Sequence, residues 1–422
     1  MAAGDKKSDL HRYGVKGQAP GAARLQLAAI GMEAEFTLVV DGREVKPEDL
    51  FGDPRAFLNG PLMHRVGTSY SLPTGGAVYF DTGVIEVATP VIEIEPGCAA
   101  RAGRSLWESI HTVRRALDDW ERRTGRDARL VGFSAHYNIS FELPPEEQGT
   151  ERTVEQLALL LSYVLPVPVM LLAANKRSTG IGVRPRGDRI EITADFTPSA
   201  ALTIAAGTLI TGIVRAVMQW PHFRLDALAE HGLPVIEGFS PMPHTSRKGW
   251  LARKDRFPRN PFIVHPDEPV WRVERPYFTA RALEPTPLSL REIAHAVGRH
   301  FSDPIEAISN PFTFRLIRRV LHGEAPALLE LPDRPPEYDD VGRLCLWDDL
   351  FPERVLRRSR YEQVLIRAIA GIPLRIDGRT YTPVGLHGWS EVVFRRADGS
   401  RHAFTIDYLL GHLGAWKRRR SA

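Results

Sequence analysis

Cysteine is scarce: the chain's 422 residues include two, Cys98 and Cys345, far apart and in no CxxC pattern. A disulfide framework is therefore excluded, and a reducing compartment fits. An excess of one charge is also missing. Lys and Arg number 55 against 51 Asp and Glu, a net +4, too even a balance to imply a nucleic-acid partner. The dense basic run from Lys417 to Arg420 reads as a solvated tail. No apolar run reaches the ~18 residues expected of a membrane span. The first residues lack the apolar core of a signal peptide. A cytoplasmic location with no membrane partner is the expectation. Internal repeats and long low-complexity tracts are missing too. What is present is a 43% hydrophobic chain, long enough for about two or three domains with a sizeable core.

The stretch from Asn175 to Thr197 is the most informative. Arg177, Arg184, Arg186 and Arg189 fall within 13 residues, and Glu191 follows. From Arg189 to Thr193 the residues alternate. Arg189, Glu191 and Thr193 point one way, Ile190 and Ile192 the other, as in a strand with one wet and one dry face. Guanidinium and carboxylate on a wet face suit an anionic phosphate and a metal ion. A solvated hairpin with a surface ion pair would show the same pattern.

Carboxylates recur in strand contexts elsewhere. Leu25 to Val40 reads as a strand with Glu33 and Glu35 on one face, about 7 Å apart. Like charges so placed repel unless a cation lies between them, and a divalent metal is the natural candidate. Ala77 to Pro90 adds Asp81, beside a glycine, and Glu86. Buried carboxylates need partners, although Asp81 also fits a turn cap before Gly83. Leu130 to Phe141 is a third strand, with His136, Asn138 and Ser140 on one face.

Helices are expected over 101–123, from Thr153 to about Leu172 with breaks at Pro166 and Pro168, and from Pro198 to about Trp220. Residues 1–24 read as a mobile tail and 25–335 as the main domain. Within it, 221–290 is a Pro-rich, irregular loop with a basic and aromatic cluster that includes His244, Arg247 and Trp250. Residues 336–422 form a small mixed α/β domain, with helix over 346–372 and hairpin turns at Asp377-Gly378 and Asp398-Gly399.

Together, Asn175, Arg177 and Ser178, Arg189-Ile190-Glu191, Asp195 to Ala200, Glu33-Ala34-Glu35 and His136-Tyr137-Asn138-Ile139-Ser140 resemble the glutamine synthetase superfamily of carboxylate–amine ligases. Gly31 to Phe36, Val78 to Gly83, Glu86 and Ala88-Thr89-Pro90 look closer to one branch, the ligase and the deamidase/depupylase acting on prokaryotic ubiquitin-like protein. The resemblance covers roughly residues 27–220. Departures are Thr193, where glutamine synthetases carry an arginine, Asn138 in place of a second histidine, and Val84-Ile85-Glu86 in place of a His-Pro-Glu triplet.

The resemblance implies an α+β fold: a curved antiparallel sheet packed by helices, its concave face lined by the site residues. It implies ATP and Mg²⁺ as cofactors, with two or more ions. Glu33, Glu35, Glu86, His136 and Glu191 would be metal ligands. Arg177, Arg184 and Arg186 would hold phosphate, Asn138 and Ser140 would touch nucleotide, and Asp81 and Arg189 would be catalytic. The implied reaction joins a carboxylate substrate to an amine acceptor through an acyl phosphate. The partner would be a small molecule, or a small ubiquitin-like protein or peptide. Two alternatives are an amide hydrolase that retains nucleotide and a nucleotide-binding scaffold with a degraded site, the latter suggested by Thr193.

Overall fold

The computed structural model describes residues 28–60, 62–65, 68–140, 152–187, 189–244, 248–274, 286–331, 358–414 and 416. The N-terminal tail, Arg247, Cys345, the first part (346–357) of the expected helix 346–372 and the basic run at 417–420 lie outside these residues.

The chain order opens with β1 (Ala29–Val40), β2 (Arg43–Val45), β3 (Met63–His64), β4 (Tyr70–Ser71), β5 (Ala77–Asp81), β6 (Val84–Ala88), β7 (Ile92–Glu93), β8 (Ala128–Ser140), β9 (Gly180–Arg186) and β10 (Arg189–Asp195). Downstream come β11 (Val235–Ile236), β12 (Met242–Pro243), β13 (Trp250–Arg253) and β14 (Val273–Glu274). One sheet of 12 strands runs β12-β13-β9-β10-β8-β1-β6-β5-β4-β3, with β2 and β7 also pairing β1, and β11 pairs β14 apart from it. The sheet is antiparallel at its centre, where β1 pairs β6 and β8, and β8 pairs β10. The register of β1 on β8 shifts between Glu35 and Phe36, a bulge of the kind that bends a strand.

Strand alternation sorts the faces. Ile30, Met32, Ala34, Phe36, Leu38 and Val40 of β1 are buried, while Glu33 and Glu35 between them are only half-buried. The apolar face is covered by helices Cys98–Thr124, Val154–Val164, Pro166–Ala173 and Ala200–Val217. Phe196 joins the layers, edge-on to Phe36 with centroids 5.0 Å apart and stacked on Trp107 at 6.2 Å. A Cβ at Gly207 would sit 2.4 Å from Cε of Met32 and push that side chain aside. This close approach lets the helix lie flat on β1.

The Thr153–Gln156 capping box opens its helix, and the chain turns by 64° where Pro166 begins the next. Asp41 and Gly42, at φ 50° and 76°, form the hairpin turn between β1 and β2. Two expectations are corrected. Ala200–Val217, at 18 residues, is long and apolar enough to cross a membrane, yet 83% of it is buried in the protein. The 221–290 region is not simply an irregular loop, because β12 and β13 extend the main sheet beyond β9.

The C-terminal segment folds as helix Arg360–Ile369, β15 (Leu374–Ile376), β16 (Arg379–His387), β17 (Glu391–Arg395), β18 (Arg401–Thr405) and helix Ile406–His412. These four strands form their own sheet. Its apolar cluster takes in Ala29 and Met63 from the start of the chain. A buried ion pair ties the two regions: Arg104 Nη2 lies 3.3 Å from Oε1 of Glu362, and Glu362 is fully buried.

Candidate active site

Residues opposite one another in an antiparallel ladder share a face, so the register gathers the polar positions. Glu33 lies opposite His136 and Glu35 opposite Ser134 on β8. Glu35 lies opposite Glu86 on β6, which faces Tyr79 on β5. On the other flank Glu191 lies opposite Asn138 and Arg184, and Arg189 opposite Ser140 and Arg186. The sheet face opposite the helices therefore carries a row of carboxylates over β1, β5 and β6 and a row of arginines over β9 and β10. A cavity of about 350 Å³ opens on this face, lined by Glu35, Asp81, His136, Arg177 and Arg184 among others.

The acidic half forms two overlapping sets. Donor atoms of Glu33, Glu86 and His136 lie within 4.8 Å of one another, as do those of Glu35, Asp81 and Glu86. Glu86 belongs to both. His136 Nδ1 is 3.1 Å from Glu33 Oε2, and the Ser134 hydroxyl donates to Glu35 Oε2 at 2.6 Å. The Tyr79 hydroxyl donates to Glu86.

Burial and the neighbouring Glu33 charge push the Glu86 carboxyl up to about 8, the Tyr79 hydrogen bond only partly opposing them. Burial also acts on Glu33, but His136 outweighs it and holds that carboxyl below its ordinary value. His136 is raised, burial being overcome by Glu33 and then Glu35. A proton on Glu86 thus relieves a crowded, nearly dry carboxylate cluster. Hard oxygen donors with one imidazole suit Mg²⁺ or a similar divalent ion, which would displace that proton. Glu33, Glu35, Asp81, Glu86 and His136 fit such ions.

Asp81 has a second task. Thr82 and Gly83, at φ 52° and 96°, make a two-residue hairpin loop between β5 and β6. Asp81 is the last residue of β5. The Thr82 hydroxyl donates to its Oδ1 at 2.9 Å, and the Gly83 amide donates to Glu48 at 2.9 Å. The turn is thereby held while the Asp81 carboxylate reaches Glu35 and Glu86.

In the basic half, Arg184 and Arg186 both pair with Glu191, which is 1% exposed. Glu191 therefore lies in neither carboxylate set, and its oxygens orient two arginines. Arg189 Nε donates to Asn138 Oδ1 at 2.8 Å, and Arg184 lies 3.3 Å from His136 Nε2, bridging the halves. Ser140 accepts from the Ala29 amide at 2.8 Å, a contact that ties β8 to β1. Arg177 is set by a local turn in which its amide donates to Asn175 Oδ1 at 2.8 Å. His244, from the basic and aromatic cluster, reaches the cavity lining.

Two residues at the site were not singled out from sequence. Tyr79 was legible as the strand neighbour of Asp81 on the same face. Arg65 was not, because it follows a strand of two residues in a stretch without periodicity. Burial lowers the Arg65 guanidinium to about 10, against the charges of Tyr79, Glu33 and Glu86.

No protein-family model matches the chain, and no curated protein matches it in sequence. Among solved structures, it is similar to the ligase PafA in complex with the prokaryotic ubiquitin-like protein Pup, with a TM-score of 0.47, 11% identity and 93% of each chain covered. It is similar to a bifunctional glutathione synthetase from Pasteurella multocida, with a TM-score of 0.41 and 12% identity over 89% of this chain and 60% of that one. It is also similar to the Pup ligase PafA in complex with ADP, with a TM-score of 0.37 and 12% identity over 98% of this chain and 100% of that one. With identities this low and TM-scores below 0.5, the functional reading rests on the site's own residues.

Proposed function

We propose that the chain is an ATP- and Mg²⁺-dependent carboxylate–amine ligase. The observation that carries this reading is the continuity of the two halves. Carboxylate sets sharing Glu86 adjoin Arg184, Arg186 and Arg189 on one sheet face, with Arg184 3.3 Å from His136. Phosphoryl transfer needs positioning and charge neutralisation more than covalent help from the protein. Bound divalent ions would neutralise the triphosphate. Arg184 and Arg186, oriented by Glu191, would hold phosphate oxygens, and Arg189, fixed by Asn138, would meet the phosphoryl group in transfer. Transfer to the substrate carboxylate gives an acyl phosphate. Asp81, at the cavity edge, would take the proton of the amine that displaces phosphate. The amine acceptor is a small molecule or a lysine of a protein, and the carboxylate partner includes small ubiquitin-like proteins as a class.

The test supplies purified protein with Mg·ATP, hydroxylamine and carboxylates ranging from L-glutamate to peptides ending in glutamate. A ligase yields the hydroxamate with one ADP per bond. Ammonia release from glutamine-ended peptides without net ATP consumption would identify an amide hydrolase instead. Neither product would overturn both forms of amide-bond chemistry.

A further inference from the structure

The sheet order separates charged groups along the face. Arg184, Arg186 and Arg189 stand on β9 and β10, on one side of the carboxylate row. Arg65 stands on the opposite side, just beyond β3 at the other end of the strand order. Its electrostatic partners are Tyr79, Glu33 and Glu86, so it faces the same cluster.

Arg65 is held with unusual care for a residue in an irregular segment. Its amide donates to the Ser69 carbonyl at 3.0 Å, and Nη1 donates to the Ser69 hydroxyl at 3.2 Å. Its guanidinium lies 3.9 Å from the ring centroid of Trp389, close enough for a cation–π contact. Trp389 sits in the loop between β16 and β17 of the C-terminal sheet. Among the described residues, the buried Nε of Arg65 has no hydrogen-bond partner. A planar guanidinium clamped on one face, with donor capacity to spare beside metal-ligand carboxylates, is suited to a carboxylate or phosphate oxygen.

We propose that Arg65 binds the carboxylate of the substrate at the end of the site opposite the nucleotide arginines, and that Trp389 is the positioning residue that holds it there. The C-terminal region thereby completes the substrate end of the site. This assignment rests on the ligase reading, since it presupposes that nucleotide phosphates occupy the Arg184–Arg189 side. It also gives the ion pair between Arg104 and Glu362 a consequence for substrate binding, because that pair helps fix the C-terminal region against the sheet.

The test uses the full chain saturated with Mg²⁺ and the non-hydrolysable analogue AMP-PNP, titrated calorimetrically with L-glutamate as the carboxylate probe. Wild type binds the probe. Arg65→Ala weakens it roughly 10- to 100-fold, the loss expected for a charge-assisted hydrogen bond. Trp389→Ala weakens it by a smaller factor, and Trp389→Phe, which keeps an aromatic face, restores it. Arg65→Lys keeps the charge and guards against misfolding of the alanine variant; it falls between wild type and Arg65→Ala. AMP-PNP affinity stays at the wild-type value in all four variants. Equal glutamate affinity in wild type, Arg65→Lys and Trp389→Ala overturns the assignment, as does nucleotide binding without any glutamate binding in wild type. Failure of wild type to bind AMP-PNP would overturn the underlying ligase reading instead.

Discussion

Replacing Glu86 by glutamine separates the metal account from a purely structural one. Glu86 is 3% exposed, and its carboxyl is pushed to about 8 from 4.5 by burial and then by Glu33. A carboxyl raised in this way contributes stability that is complete below the unfolded value near 4.5 and is lost as pH rises through about 8. At ~1.4 kcal/mol per pKa unit, the loss is on the order of a few kcal/mol. Glutamine resembles the protonated form and has no proton to lose. Without divalent metal, Glu86→Gln should melt like wild type at pH 4, below the unfolded value, and several degrees higher at pH 9. Metal binding should show the opposite sign. Because Glu86 belongs to both donor sets, the variant should lose both ions, each weakened at least ~10- to 100-fold. Glu33→Gln, which touches one set, should weaken one. Mn²⁺ titration followed by electron paramagnetic resonance counts the sites, and calorimetric melts at the two pH values read the stability. Wild-type Mn²⁺ stoichiometry and affinity in Glu86→Gln, or parallel melting curves across the pH range, would refute the reasoning.

Asp81→Asn should keep its melting temperature within a few degrees and retain nucleotide affinity while turnover falls ~10²–10⁴-fold, because the amide holds the hairpin turn but accepts no proton. Steady-state ADP release checks this, and a near wild-type rate would remove Asp81 as the base. Glu362→Ala removes the buried carboxylate 3.3 Å from Arg104, leaving Glu108 at 3.6 Å, and should cost on the order of 1–3 kcal/mol, visible as a lower urea midpoint. Gly249→Ala places a Cβ 2.8 Å from Cγ of Arg184. It should cost ~1–3 kcal/mol through overpacking and weaken Mg·ATP binding, measured by calorimetry alongside the melt.

The site was legible where strands are long. The period of two in β1, β8 and β10 puts Glu33 and Glu35, His136 and Asn138, and Arg189 and Glu191 on one face each, and burial of the intervening Ile, Ala and Tyr fixes which face is dry. What alternation cannot supply is the pairing between strands. Glu191 reads as a metal ligand from its own strand, yet its register opposite Arg184 gives its oxygens to arginines. The Ser140 hydroxyl accepts from the Ala29 amide, more than 100 residues away in sequence, a pairing its own strand does not announce. Short strands leave no period to read, which is why β12, β13 and Arg65 escaped notice. The cation–π contact of Arg65 with Trp389 joins residues more than 300 apart, and neither local sequence announces the other.

Calorimetric titration of ATP into the full chain, with Mg²⁺ and again with EDTA, bears most directly on the claim that this sheet face is a metal–nucleotide site. The account predicts binding with Mg²⁺, loss of most of that affinity in EDTA, and release of a proton on Mg·ATP binding at pH 7, as the carboxylate cluster ionises. Absence of binding with Mg²⁺ at millimolar nucleotide, or equal affinity with and without the metal, would contradict it.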